Sequence, residues 1–291
     1  MDGFDRQTMR QVQMVIDLVT HLVITEVSLR DQVFLRPEQD DDALLVDGGP
    51  VLYFVSVSAD DETGVALKIR DRLTSELQQI LEERCGCRVH MENDAKAATM
   101  AELAYGSLRG CRYGMAVTIG TYVGGGFVFD GKVYKGRNFR AGEINVICIE
   151  PDRWEQMDST LGEHGSARRL LQYYAEEAGT AGSQTTEEEF FELVDLGDSN
   201  AARALKRFCR SLSIQLMNVA VPLELERIAV GGGISRQSSF ISGIRQAMAE
   251  LEETNPRIIY GVRIPLPEIT ACTFFNEANL LGAFHSYQHD L

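Results

Sequence analysis

The sequence predicts an α/β protein in two lobes. Three observations carry that prediction. Short strand-like runs alternate with helical runs along the chain, an Asp-Gly hairpin signal follows Gly110, and a strand ends in Gly231-Gly232-Gly233 ahead of a helix. The length of 291 residues fits two domains, since domains of ~100–200 residues are typical and each can bury a core of its own.

Residues 14–35 are rich in Val, Ile, Leu and Thr and read as two or three consecutive strands. The acidic run PEQDDD reads as a solvated loop, and Gly48-Gly49-Pro50 as a turn before the strand VLYFVSVS. Leu67 to Glu83 has helical spacing, Arg88 to Met91 reads as a short strand, and Asp94 to Tyr105 as an Ala-rich helix capped by Asn93 or Asp94. The runs YGMAVTIG and GGGFVFD are two strands, and Asp130-Gly131 turns the second into KVY. Ser166 to about Leu225 reads as mostly helical. ERIAVGGGIS is a strand entering a glycine turn, followed by a helix with Phe240, Ile241, Ile244, Met248 and Leu251 on one stripe. The strand VRIPLPEITAC and the helix NEANLLGAFHSY close the chain.

Composition excludes several functions. With 28 Lys+Arg against 43 Asp+Glu, the net charge is −15. Duplex binding draws on a basic face to displace counterions, and anionic lipid attracts basic segments, so nucleic acid and membrane surface are not expected partners. No apolar stretch reaches the ~20 residues needed to span a bilayer, and the first residues lack a secretion signal. A cytoplasmic protein is expected. The six cysteines fit that compartment: Cys85 and Cys87 have no second pair at zinc spacing, and Cys111, Cys148, Cys209 and Cys272 stand in apolar surroundings as thiols.

Three motifs carry chemistry. In Met91-Glu92-Asn93-Asp94-Ala95-Lys96, Asp94 at a strand-to-helix junction either accepts a proton from a substrate hydroxyl or only caps the helix; Asn93 offers a donor and an acceptor suited to a polyol. In Ile119-Gly120-Thr121-Tyr122-Val123-Gly124-Gly125-Gly126, read as a turn, glycines admit phosphate oxygens to backbone N–H groups or simply serve a tight hairpin. Gly231 to Gly233 can pass beneath a nucleobase or open a helix toward an anion.

The order of these motifs, with GGGFVFDGKVYKGRNFRAGE as the most specific stretch, resembles the ROK family of sugar kinases and sugar-responsive repressors from about residue 79 to the C-terminus. The resemblance implies the two-lobed actin-like ATPase (RNase H-like) fold, with a smaller lobe of residues 1–106 plus 273–291 and a larger lobe of 107–272. It implies a sugar in the cleft between them. Asp94 would be the general base on the sugar hydroxyl, and Asn93 and Glu143 ligands of other hydroxyls. Gly120, Thr121, Gly124 and Gly125 would form a phosphate loop, and Gly231, Gly232 and Gly233 the adenosine turn. ATP and Mg²⁺ are the implied cofactors, and a homodimer the implied assembly.

The chain also departs from the family pattern. Glu143 is followed by Ile144-Asn145-Val146 rather than Gly-His, and RWEQMDSTLGEHGSARRLL lacks the cysteines of the family's zinc loop, so no zinc is expected. Trp154, Ser159 and Thr160 resemble those of members without that loop. Glu163 and His164 either face the sugar or are exposed loop residues. The segment after SVSADDETGV is shorter than in typical members. Ile16-Asp17-Leu18-Val19-Thr20-His21 lacks the glycines of the first phosphate loop, and Tyr122 stands where the second loop has glycine. Weakened phosphate binding follows, because Val and Tyr cannot replace glycine where backbone must approach an oxygen. Three readings stay open: an ATP-dependent sugar kinase, a non-catalytic sugar sensor or pseudokinase subunit, and a structural partner of an intact kinase.

Overall fold

The structure, a computed structural model, describes residues 92–137, 140–180, 185–256, 261, 265–275 and 277–289. The strands, helix and first phosphate segment expected within residues 1–91 lie outside the described residues. The chain divides into two units after Asp94 and again after His285, and most described residues belong to the second, Ala95–His285.

That unit is built on a five-stranded sheet. In chain order its elements are α1 (Asp94–Tyr105, whose first residue belongs to the other unit), β1 (Gly114–Ile119), β2 (Val123–Phe129), β3 (Lys132–Tyr134), the one-turn α2 (Leu161–His164), α3 (Ala167–Ala178), α4 (Glu187–Asp195), α5 (Ser199–Ala220), β4 (Arg227–Gly231), α6 (Ser238–Glu253), β5 (Glu268–Ala271) and α7 (Ala278–His289). The spatial order is β3-β2-β1-β4-β5. The first three strands form an antiparallel meander, whereas β1–β4 and β4–β5 pair in parallel.

Local chemistry explains these elements. Asp130 and Gly131 both take positive φ, 50° and 74°, which is the type I′ geometry that joins β2 to β3 in register. The expected helical region from Ser166 resolves into three helices, each opened by a side-chain cap: Ser166 for α3, Thr186 with Glu189 for α4 and Asp198 for α5. On α6 the buried stripe is Phe240, Ile241, Ile244, Ala247 and Met248, while Leu251 is half-buried. The last strand is shorter than expected, Glu268–Ala271.

Both faces of the sheet are covered. Met115, Val117, Ile119, Ile228 and Val230 face one core with Phe190, Phe208, Leu212 and Phe240 from α4, α5 and α6. Small residues on the opposite face, Ala116 and Ala229, join Leu108, Val128, Cys111 and Cys272 in a second cluster. Helix α1 lies close over β2, because Gly124 and Gly126 present no side chain to it. A Cβ on Gly124 would stand 3.3 Å from the Ala95 Cβ, and one on Gly126 would overlap the Thr99 hydroxyl. Glu102 of α1 is fully buried and fully used: its carboxylate accepts from Ser107 N–H at 2.8 Å, Ser107 Oγ at 2.7 Å and Phe274 N–H at 2.8 Å.

Candidate functional site

The two glycine turns adjoin. Strand β1 ends at Ile119 and runs into Gly120-Thr121-Tyr122; its parallel neighbour β4 ends at Gly231, the register partner of Thr118. Gly232 has φ +94°, and a Cβ there would overlap the carbonyl oxygen of Ile119. Backbone therefore meets backbone where the strands end. The carboxyl ends of adjacent parallel strands are where α/β sheets place ligands, because the connections splay apart there and leave a crevice.

Other groups reach the same end of the sheet. The N–H of Ala167, first residue of α3, donates to Gly120 O at 3.0 Å, so that helix starts against the first turn. A Cβ on Gly233 would lie 3.6 Å from Glu187 Oε2, at the start of α4. Buried Ser235 ties the second turn with a 2.8 Å bond from its hydroxyl to Gly232 O, and Arg236 lies over the Phe275 ring at 4.5 Å.

The turn after β1 is narrower than the expected 119–126. Only Gly120, Thr121 and Tyr122 lie outside the strands; Gly124, Gly125 and Gly126 belong to β2. The reason is packing: α1 occupies one face of β2 and the Gly142–Ile144 segment the other, so glycines are needed inside the strand. Thr121 and Tyr122 are exposed, Tyr122 by 55%.

Glu143 is placed from the other side of β2. Gly142, with φ +92°, lies directly against Gly125, and Ile144 is buried beneath the strand. Glu143 between them is half-buried and leads into a 3-10 turn at Ile144–Val146.

Glu163 and His164 sit on α2, and neither is an exposed loop residue. The Glu163 carboxylate is mostly buried and pairs with Arg168. His164 is 8% exposed, and its Nε2 meets Glu150 Oε1 at 2.9 Å. Burial, reinforced by the charge of Arg169, pushes the His164 imidazole below its usual pKa, while Glu150 works against that shift.

Asn93 and Asp94 belong to the first unit. Asn93 immediately precedes α1, and its backbone N–H donates to Glu92 Oε1 at 3.2 Å. Glu92 also accepts from Ser286 Oγ at 3.3 Å. Asp94, exposed, is the first residue of α1, and Asn93 stands immediately before it.

Sequence reasoning missed Glu150, Arg153 and Asp158, which cluster beside α2. Arg153 bonds Glu150 at 2.8 Å, Asp158 at 2.5 Å and the Gln156 amide oxygen at 2.6 Å. The i,i+3 spacing of Glu150 and Arg153 was a legible signal, whereas nothing in the sequence joins Glu150 to His164.

Comparison with known proteins bears on this arrangement. The sequence model of the ROK family matches residues 54–289. A beta-glucoside kinase of Listeria monocytogenes is 31% identical over 212 residues, which are 72% of this chain and 68% of that protein. An N-acetyl-D-glucosamine kinase of Vibrio vulnificus is 28% identical over 194 residues, covering 61% of this chain and 62% of its own. Among solved structures, a ROK family glucokinase from Streptomyces griseus in complex with glucose and AMPPNP superposes with a TM-score of 0.62 at 26% identity, over 71% of this chain and 70% of the other.

Proposed function

Since the chain belongs to the ROK family and has the actin-like ATPase fold of its sugar kinases, we propose that it phosphorylates a hydroxyl of a hexose or hexoside. The observation that carries this reading is the close approach of Gly232 to Ile119, the residue before Gly120, at the carboxyl ends of β1 and β4. ATP with Mg²⁺ supplies the γ-phosphoryl group, and its spread negative charge needs backbone donors more than covalent help.

Each residue then has a task. Gly120 and Gly231 to Gly233 would line the nucleotide with main chain that no Cβ screens, and Thr121 would add its backbone N–H and hydroxyl. Gly124 and Gly125 support that line from within β2. Asp94, exposed at the start of α1, takes the proton of the attacking hydroxyl, as a carboxylate within reach of that hydroxyl does. Asn93, Glu143 and Glu163 hold the remaining hydroxyls. His164, with Glu150 on its Nε2, acts from behind Glu163.

Sugar-dependent ADP release from Mg-ATP, across a panel of hexoses and β-glucosides, tests the proposal. Asp94→Asn should lower turnover by ~10²–10⁴-fold. Absence of turnover with every sugar, together with no calorimetric binding of Mg-ADP, rejects it.

Tyr122 favours a second reading. A 55% exposed phenol at the tip of the first turn, where the family resemblance has glycine, hinders close approach of a phosphate. On this reading the chain is a sugar-binding regulator or pseudokinase subunit. A sugar would then raise the melting temperature without nucleotide, because ligand binding to the folded state stabilises it. Tyr122→Gly would raise nucleotide affinity.

A further inference from the structure

The chain between Ile147 and Leu161 leaves the body of the second unit and returns to the same point. Leu161 N–H donates to Ile147 O at 2.8 Å, Ile149 N–H donates to Ser159 O at 2.8 Å, and Cys148 faces Thr160 in an antiparallel bridge. Beyond this mouth, Pro151, Asp152, Trp154, Glu155, Gln156 and Asp158 are all exposed. Among the described side chains beyond the mouth, apolar burial therefore does little to hold the excursion.

Charge holds it. The Arg153 guanidinium sits at its centre, with Nη1 on Glu150 Oε2, Nη2 on Asp158 Oδ2, and Nε on the Gln156 amide oxygen at 3.0 Å. The second oxygen of Glu150 is used differently: it receives His164 Nε2 at 2.9 Å. One carboxylate thus joins two structures. Oε2 fastens the excursion, and Oε1 fastens α2, which carries Glu163 next to His164 in sequence. Such two-partner carboxylates are geometrically demanding, because each oxygen fixes one direction.

We infer that Glu150 is a positioning residue: through His164 it sets the orientation of α2, and with it the Glu163 carboxylate. The consequence for sugar binding rests on the function proposed above; the mechanical role does not. Among the described residues, the groups acting on His164 are few. Glu150 and Asp158 favour its charged form, and Arg169 from α3 opposes it. Neither Ile144–Val146 nor β2 carries a charged residue, and the basic residues of α5 are engaged elsewhere: Arg203 with Glu177, Arg207 with Glu176, Lys206 with Glu250, and Arg210 acting on Glu250.

The test compares the full chain with Glu150→Gln. Proton NMR titration of the His164 ring, assigned with His164→Gln, should show its pKa falling further in the variant, since a neighbour that favours the imidazolium has been neutralised. Amide exchange in the 147–164 peptide should rise at least about tenfold, with the α5 peptide unchanged. In sugar kinetics, KM should rise roughly fivefold with kcat within about twofold, the pattern of lost uniform binding. If E150Q does not fold, Glu150→Asp carries the same titration, with the same direction expected from its shorter reach. An unchanged His164 titration, or unchanged exchange in 147–164, overturns the inference. A wild-type protein without sugar turnover defeats the functional reading instead, and the titration and exchange arms still decide the role of Glu150.

Discussion

Gly125 and Gly142 meet backbone to backbone: a Cβ on Gly125 would stand 2.9 Å from the Gly142 carbonyl oxygen, and one on Gly142 would overlap the carbonyl oxygen of Gly125. The contact sets the depth at which the chain crosses β2, and so where Glu143 is presented. Neither partner tolerates a side chain without moving the other.

Gly142→Ala should therefore cost more than an ordinary surface change. Its φ of +92° is strained for any L side chain, and the overlap adds to that strain. A loss of ~2–4 kcal/mol is expected from the combined backbone and steric effects. Urea denaturation measures it; a loss within about 0.5 kcal/mol would show that the loop moves freely off β2.

Gly232→Ala tests the second close approach. The φ of +94° and the overlap with Ile119 should separate the two glycine turns. Stability should fall by ~2 kcal/mol or more. Under the proposed function, Mg-ADP affinity should fall at least about tenfold beyond any loss of folded protein, as read by calorimetry at a temperature where the variant is folded.

His164 gives a pH dependence with a definite sign. Its folded pKa lies below the ordinary 6.5, through burial first and Arg169 second. Above about 6.5 folded and unfolded chains both hold the neutral ring, so its contribution is fully present. As pH falls below that value, the unfolded chain takes up a proton that the folded chain does not, and stability declines toward the folded pKa. The decline attributable to this residue is at most about 1.4 kcal/mol per pH unit. Denaturation of wild type and His164→Gln at about pH 7.5 and about pH 5.5 should show a smaller loss in the variant. Equal losses would mean that His164 titrates normally in the folded chain.

Cys209 should resist thiol reagents. It is 1% exposed between α5 and α6, and burial pushes its pKa up to about 12. The thiolate is the reactive form, so labelling at neutral pH should be at least ~100-fold slower in the folded chain than in denaturant. Peptide mapping after maleimide treatment reads this directly, and rapid native labelling of Cys209 would point to frequent opening of the α5–α6 core.

Much of the second unit was legible in the sequence. The Asp130-Gly131 hairpin, the mostly helical run after Ser166 and the strand entering Gly231 all follow from local rules, because turn chemistry and periodicity act over a few residues. The apolar stripe of α6 was visible for the same reason, apart from Ala247, whose burial depends on what faces it. The glycines at 124 to 126 read both as the end of the turn and as the start of the strand GGGFVFD, and the strand is where they lie. Glycine suits both a turn and a strand beneath a close helix, and only Ala95 and Thr99 of α1 decide between the two.

What the residues determined unaided was the α/β class, the identity of most described elements and, through motif order, the ROK resemblance that the comparisons bear out. Tertiary structure alone decided which glycines meet, and which acid holds His164. The parallel pairing of β1 with β4 and the return of the chain at Thr160 join segments distant in sequence, and contacts of that kind depend on the packing of whole elements, which local periodicity does not encode.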